Sequence, residues 1–179
     1  MNVMNEFFKE CLELPFATNS QDNPNHENQV EDLLKKHGLD YTAQPNGIQK
    51  SPDFMVHYNG NDYPIECKSS KQAYPTYNGG LPKHGAIYIF SSKKYNATTV
   101  YRAEDIVCEI KRGLYEELTK KLGDVLEEFR SLPVWKDDPR GFDFYIRNMF
   151  TQMGGADKTN YFLHEDRARC ESNVINGVY

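Results

Sequence analysis

The stretch SPDFMVHYNGNDYPIECK, residues 51–68, decides the fold. Phe54, Val56 and Tyr58 alternate with Met55 and His57, and Tyr63, Ile65 and Cys67 alternate with Glu66 and Lys68. A hydrophobic period of two is that of a β-strand. Between the two runs lies Asn59-Gly60-Asn61-Asp62, a turn signal, because Asn-Gly accepts the positive φ angles of a tight hairpin. The stretch is therefore predicted to be a β-hairpin. Its geometry brings Asp53, at the start of one strand, close to Glu66, at the end of its neighbour. Strand alternation sets Glu66 and Lys68 on one face and turns Cys67 the other way, into apolar packing. Two carboxylates and one ammonium then converge on a point. Carboxylates in this number suit Mg²⁺, which completes its shell with waters and phosphate oxygens.

Upstream, Val3, Met4, Phe7, Phe8, Cys11, Leu12 and Leu14 recur at helical spacing. Ala17–Asn25 reads as a polar loop, and Asp22 or Asn23 caps a helix predicted to start at Pro24. That helix carries Val30, Leu33 and Leu34 and stops at Gly38, before a polar connector with Pro45, Asn46 and Gly47. Downstream, Ser69–His84 is a long loop rich in Pro, Gly, Asn and Tyr. The apolar run Gly85–Phe90 predicts an interior strand covered on both faces, and Val100–Arg102 a further short strand. A helix follows over Ala103–Leu132, with breaks allowed at Gly113 and Gly123 and an end at Pro133. Phe142–Phe150 reads as an aromatic strand, and the polar tail 151–179 takes no assignment. Together these give an α/β class. The expected architecture is one domain over 1–179, a mixed β-sheet of about five strands with the hairpin central and helices on both faces.

The chain of 179 residues is 39% hydrophobic and 26% charged, a globular composition. It has no apolar run long enough to span a membrane, and Met1–Phe16 carries Glu6, Lys9, Glu10 and Glu13 where a signal peptide would be apolar. Cys11, Cys67, Cys108 and Cys170 form no CxxC pair, which argues against structural zinc. A soluble, cytoplasmic protein with reduced thiols is the expectation. The net charge of −5 is unevenly spread. Residues 1–67 sum to −7 and residues 103–179 to −4, whereas residues 68–102 sum to +6 without a single acid. Lys71, Lys83, Lys93, Lys94 and Arg102 in that segment are the candidate contacts for an anionic partner such as DNA. An ordinary basic surface loop is the bland alternative.

Pro-Asp…Glu-x-Lys on a hairpin resembles the PD-(D/E)xK nuclease superfamily, and the compact chain resembles its type II restriction endonucleases. The matching string spans residues 52–68; a second Glu-x-Lys, Glu109-Ile110-Lys111, lies inside the long helical pattern with no hairpin around it. The resemblance implies a restriction-endonuclease-like fold, hydrolysis of double-stranded DNA, Mg²⁺ as cofactor with no organic cofactor, and a homodimer on a palindromic site. It makes Asp53 and Glu66 the metal ligands, assisted by the Cys67 backbone carbonyl, and Lys68 the group that orients or activates the attacking water. A further glutamate from the preceding helix often joins such sites, with Glu27 preferred here over Glu31. A repair or junction-resolving nuclease is an alternative in the same superfamily, and a non-catalytic nucleic-acid-binding module one outside it. Asp53, Glu66 and Lys68 as a plain surface charge triad is the bland reading. His57 and His84 read as strand and loop residues rather than catalytic bases. Tyr74, Tyr77 and Tyr95 are either stacking platforms for bases or loop anchors. Arg147, Asn148, Asn160, Arg167 and Arg169 are plausible base-reading donors.

Overall fold

The computed structural model describes residues 2–17, 22–151, 161–163 and 165–179. Its elements run α1 (Val3–Cys11), α2 (Asp22–Lys36), β1 (Asp40–Ala43), β2 (Phe54–Tyr58), β3 (Asn61–Ser70), β4 (Thr76–Tyr77), β5 (Ile87–Ser92) and β6 (Ala97–Arg102). The second half adds α3 (Ala103–Ile106), α4 (Glu109–Arg130), α5 (Pro133–Lys136), β7 (Phe150–Thr151) and α6 (Arg167–Ile175). Five strands form a mixed sheet in the order β1-β2-β3-β5-β6, with β3 and β5 parallel and the other neighbours antiparallel. The hairpin is present, and β3 is the middle strand. Its loop is shorter than the turn signal suggests. Asn59 and Gly60 both adopt positive φ, while Asn61 and Asp62 pair back onto Tyr58 and His57. Two residues of positive φ match the right-handed twist of the flanking strands.

Alternation sorts β5 between two cores. Ile87 and Ile89 point to one face of the sheet, packing with Ile65 and Cys67 of β3, Val30 and Leu34 of α2, and Phe7 and Phe8 of α1. Tyr88 and Phe90 point to the other, where Tyr77, Tyr101, Tyr161 and Phe162 complete an aromatic layer. The whole of β5 is buried, its first four residues, Ile87 to Phe90, being the apolar run and Ser91 and Ser92 buried polar residues at its end. Helices flank the sheet as expected, though unequally. Helices α1 and α2 cover the first face, and the second carries aromatic residues from the short β4–β7 pair and from residues 161–162, joined by Ala103 and Ile106 of α3 and Cys170 of α6. Helix α6 contributes to both cores, through Val174 to one and Cys170 to the other.

Other boundaries differ from the expectation too. The connector predicted after Gly38 contains β1, whose side chains are mostly exposed; no apolar alternation marks it, and pairing with β2 alone makes it a strand. The long helix breaks at Val107–Cys108 and not at either glycine. Val107 is buried in an extended conformation, so its side chain fixes the chain where a helix would turn it away. Pro133 opens α5 as its first residue, where its missing N–H costs nothing. The strand predicted over Phe142–Phe150 reduces to Phe150–Thr151. Phe142, Phe144 and Tyr145 are solvent-exposed and find no neighbouring strand among the described residues. The capping side chains of Asp22 and Asn23, and Asn160, lie outside the described residues. Among the described residues no helix is long and apolar enough to cross a membrane.

Gly60, at φ +76°, is the hairpin residue least able to carry a side chain. Replacing it by valine should destabilise the protein by about 1–2 kcal/mol, the cost of holding an L-residue in the left-handed region. A lowered urea midpoint with unchanged slope checks this.

Candidate active site

The β2–β3 ladder ends at the pair Phe54–Ile65, one step before Asp53 and Glu66 would face each other. Beyond that point β3 continues alone on this side. The carboxylate of Asp53 takes over the role of the missing strand: its Oδ2 accepts the Cys67 backbone N–H at 2.7 Å. Glu66 and Lys68 leave β3 on the same face, as alternation requires, and Lys68 Nζ donates to Glu66 Oε2 at 3.0 Å. Between them Cys67 is fully buried in the helix-covered core. Glu66 is itself only 4% exposed, and acids are seldom so deeply buried without a cation beside them.

Helix α2 brings a third carboxylate. His26, completely buried, docks the helix by donating from Nε2 to the Ile89 carbonyl at 3.0 Å; burial lowers its pKa, so the ring is neutral. The next residue, Glu27, is pushed up to about 7, first by burial and then by the charges of Asp53 and Glu66, with Lys68 opposing. Glu31, the other candidate, faces away: it accepts from the Tyr41 hydroxyl at 2.6 Å and pairs with Lys35. Hydrogen bonds thus hold Asp53, Glu66 and Lys68 around the Cys67 peptide, and Glu27 lies close enough to feel their charges, whereas Glu31 is taken by Tyr41 and Lys35.

The electrostatics follow from three acids and one base in a half-buried place. Burial raises the Asp53 pKa, and the charge of Glu66 raises it further, against the Cys67 N–H, which lowers it. Burial pulls the Lys68 pKa down, but Glu66 and Asp53 outweigh it and hold the ammonium above its ordinary value. Lys68 is therefore a cation at neutral pH. Glu66 Oε1 is buried without a hydrogen-bond partner. An orphaned carboxylate oxygen beside two carboxyls that resist ionisation is a donor set short of positive charge, and hard oxygen ligands of this kind fit Mg²⁺. Among the described residues no three His, Cys, Asp or Glu side chains form a ready metal cage. Mg²⁺ needs none, since one or two carboxylates with waters and substrate oxygens ordinarily suffice.

The predicted basic segment divides. Lys93 N–H donates to the Ser70 carbonyl at 2.9 Å, which sets Lys71, Lys93 and Lys94 together just past the ends of β3 and β5, on the Lys68 side. Lys83 precedes β5, and its N–H donates to the Tyr88 hydroxyl at 2.8 Å. Tyr88 pairs in register with Glu66, while the Lys83 ammonium itself donates to the Gly79 carbonyl at 3.1 Å. Arg102 is drawn elsewhere: Nε donates to the Asn173 carbonyl at 3.2 Å and the guanidinium lies over the Tyr179 ring. Of the base-reading candidates, Arg167 is bound to Glu171 and Arg169 to Asp166 and Asp105, while Arg147 reaches the Asn78 carbonyl. Tyr77 is a core residue whose hydroxyl meets that of Tyr101 at 2.9 Å, and Tyr95 packs on Phe162. His57 is held between Asp62 and Thr42, and His84 lies beside Glu104 and Glu109, which makes both local structural groups. The second Glu-x-Lys sits at the exposed start of α4, as its helical spacing implies.

Sequence reasoning passed over Arg112. It is 8% exposed, donates from Nη1 to the Pro82 carbonyl at 2.9 Å, and leaves Nη2 buried without a hydrogen-bond partner. It borders a hollow of about 600 Å³ together with Lys83, His84, Glu116, Lys120 and Asn148, and its Nε lies 3.9 Å from Glu109 Oε1. Nothing in a solitary Arg on a polar helix distinguishes it from a solvated one, so the sequence held no signal for it. Compared with known proteins, the chain matches no family model, and it has no significant match among curated proteins or solved structures.

Glu27 makes stability depend on pH. Its folded pKa is raised from 4.5 to about 7, so the stability linked to its neutral form is complete below pH 4.5 and is lost as pH rises through about 7. Glu27→Gln, neutral at every pH, should therefore raise the Tm of the metal-free protein at pH 8 and change it little at pH 4.5. Discounted for solvent screening of a half-exposed group, a gain of about 1 kcal/mol corresponds to about 2–4 °C in a chain of this size. Differential scanning fluorimetry across pH reads the effect.

Proposed function

We propose that the protein is a Mg²⁺-dependent endonuclease that hydrolyses phosphodiester bonds of double-stranded DNA, acting as a sequence-specific type II restriction endonuclease. The observation that carries this reading is the meeting of Asp53, Glu66 and Lys68 at the open edge of the central strand, with Glu27 delivered beside them by α2. In it Asp53, Glu66 and the Cys67 carbonyl would hold the metal, which would supply Lewis-acid polarisation of the phosphoryl group. Lys68 stays cationic under the charges of Glu66 and Asp53 and stabilises the negative charge that builds on the phosphoryl oxygens. Glu27, with a pKa of about 7, is suited to accept a proton from the attacking water near neutral pH.

Lys71, Lys93 and Lys94 on one side of the acids, and Lys83 with Arg112 on the other, would hold phosphates flanking the scissile bond. An unpartnered buried guanidinium N–H is costly in isolation and gains most from an anionic oxygen. In a protein whose remaining segments are acidic, DNA approaches by this route.

The direct test incubates the protein with a long plasmid and Mg²⁺. Discrete fragments are expected, and Asp53→Ala and Glu66→Ala should each abolish them while circular dichroism stays unchanged. Cleavage that persists without Mg²⁺ or in either variant would sink the assignment. Lys68→Ala should slow cleavage by about 10²–10³-fold, the effect typical of removing one transition-state donor, while keeping DNA binding. Lys111→Ala, in the unused Glu-x-Lys, should leave the rate intact.

Binding carries its own test, measured on cognate and non-cognate duplexes over a salt series. Neutralising Lys71, Lys83, Lys93 and Lys94 together should flatten the plot of log affinity against log salt by about 0.9 for each phosphate that the protein no longer neutralises. Both duplexes should weaken alike. An unchanged slope would mean that DNA lies elsewhere.

A further inference from the structure

The hollow bordered by Arg112 is walled by three separate stretches of chain. Helix α4 presents Arg112, Glu116 and Lys120 at intervals of four residues, which puts them on one face. The loop before β5 supplies Lys83 and His84, and the approach to β7 supplies Asn148 and Phe150. Three contacts tie these walls together. Arg112 Nη1 donates to the Pro82 carbonyl at 2.9 Å, and the Gly80 N–H to the Asn148 carbonyl at 3.2 Å. Tyr115 of α4 meets the Phe150 ring edge to face, with 5.2 Å between centroids. The volume of about 600 Å³ lies within the range of small-molecule sites, about 300–1,000 Å³.

Charges in the walls are mixed. Glu104 and Glu109 flank His84 at 3.3 and 3.4 Å, and Asp124 lies 3.6 Å from Lys120. Arg112 and Lys83 are less fully answered. Arg112 has Glu109 at 3.9 Å, and its Nε and Nη2 are buried with no hydrogen-bond partner. Lys83 Nζ donates to the Gly79 carbonyl at 3.1 Å, and an ammonium carries further hydrogens to give. Glu116, exposed on the same wall, adds a carboxylate. A bare anion would meet that carboxylate along with the cations. A nucleotide suits both, since its phosphate is an anion, its base edge carries N–H donors, and its rings stack on an aromatic side chain.

We propose that the hollow is a nucleotide pocket, in which Arg112 and Lys83 take the phosphate, Phe150 stacks on the base and Glu116 accepts N–H groups from the base edge. Guanine is the base best matched to a carboxylate, because its N1–H and N2–H lie side by side and can meet both oxygens. The pocket rests on the phosphate-holding role of Lys83 and Arg112 and not on cleavage. Its occupant is a nucleotide of a DNA strand or a free one, which share this chemistry.

Isothermal titration calorimetry on the full chain without Mg²⁺ tests the pocket. Deoxyguanosine monophosphate should fill one saturable site, with deoxyguanosine and inorganic phosphate each weaker by about tenfold or more, the loss expected for one charge-assisted hydrogen bond. Lys83 and Glu116 are exposed, so their variants should keep the wild-type circular dichroism. Lys83→Ala should weaken the monophosphate and inorganic phosphate alike, whereas Glu116→Ala should weaken the monophosphate and spare inorganic phosphate. Arg112→Lys keeps the charge but loses the planar fork, and should weaken the monophosphate as well. Where that buried change unfolds the chain, the two exposed variants still decide. No saturable site, inorganic phosphate bound as tightly as the monophosphate, or exposed variants that bind like the wild type would each overturn the pocket. Displacement of the monophosphate by a guanine-containing single strand would identify the occupant as a nucleotide of DNA, and its retention would identify a free nucleotide. Nucleotide binding without any plasmid cleavage would bear on the nuclease reading alone.

Discussion

The hydrogen bond from the Cys67 N–H to the Asp53 carboxylate joins the packing of the sheet to the chemistry at its open edge. A strand that outruns its neighbour leaves backbone donors unpaired, and a buried N–H without an acceptor costs about as much as a broken hydrogen bond. Asp53 supplies that acceptor, which fixes its carboxylate one step from Glu66. The same peptide lies between Glu66 and Lys68, whose side chains are thereby held on the opposite face from the buried Cys67 thiol. Core packing of one residue and orientation of the acids are thus a single constraint. Displacing β3 by one residue would bury Lys68 among α1 and α2 and expel Cys67.

Three carboxyls and one ammonium in a half-buried setting are not at rest. Glu27 and Asp53 both hold protons more tightly than free carboxyls, and one oxygen of Glu66 has no hydrogen-bond partner. Lys68 answers part of this charge but not all. The side chains by themselves leave that charge uncompensated. Stability is lower for it, since like charges and orphaned polar atoms both oppose folding. A fold tolerates such an arrangement where the packing around it is secure, and here the fully buried β5 on one side and the docked His26 on the other provide that security.

Lys71, Lys93 and Lys94 lie just past the ends of β3 and β5, and Lys83 and Arg112 line a hollow before β5 and on α4. The exposed apolar residues concentrate on α4 and the segment after it. Arg102, basic by sequence but engaged with Asn173 and Tyr179, shows that a charge map drawn along the chain needs the side-chain partners to become a surface.

The sequence by itself determined the elements whose pattern is local. The hairpin was legible because Asn59-Gly60 and the alternation on either side leave one register, and that register puts Glu66 with Lys68 on one face and brings Asp53 to the end of the ladder beside them. The double-sided burial of β5 was legible from its unbroken apolar run. What depends on partners distant in sequence was not legible. β1 became a strand only through β2, the aromatic run after Phe142 failed as a strand for want of a neighbour, and the helix broke at Val107 because that side chain was buried. The preference for Glu27 over Glu31 was open to the sequence, but its physical setting was not. His26 docks α2 onto β5, its neighbour Glu27 feels the charges of Asp53, Lys68 and Glu66, and Glu31 is taken by Tyr41 and Lys35. Local periodicity fixes which residues share a face; only tertiary packing fixes what that face meets.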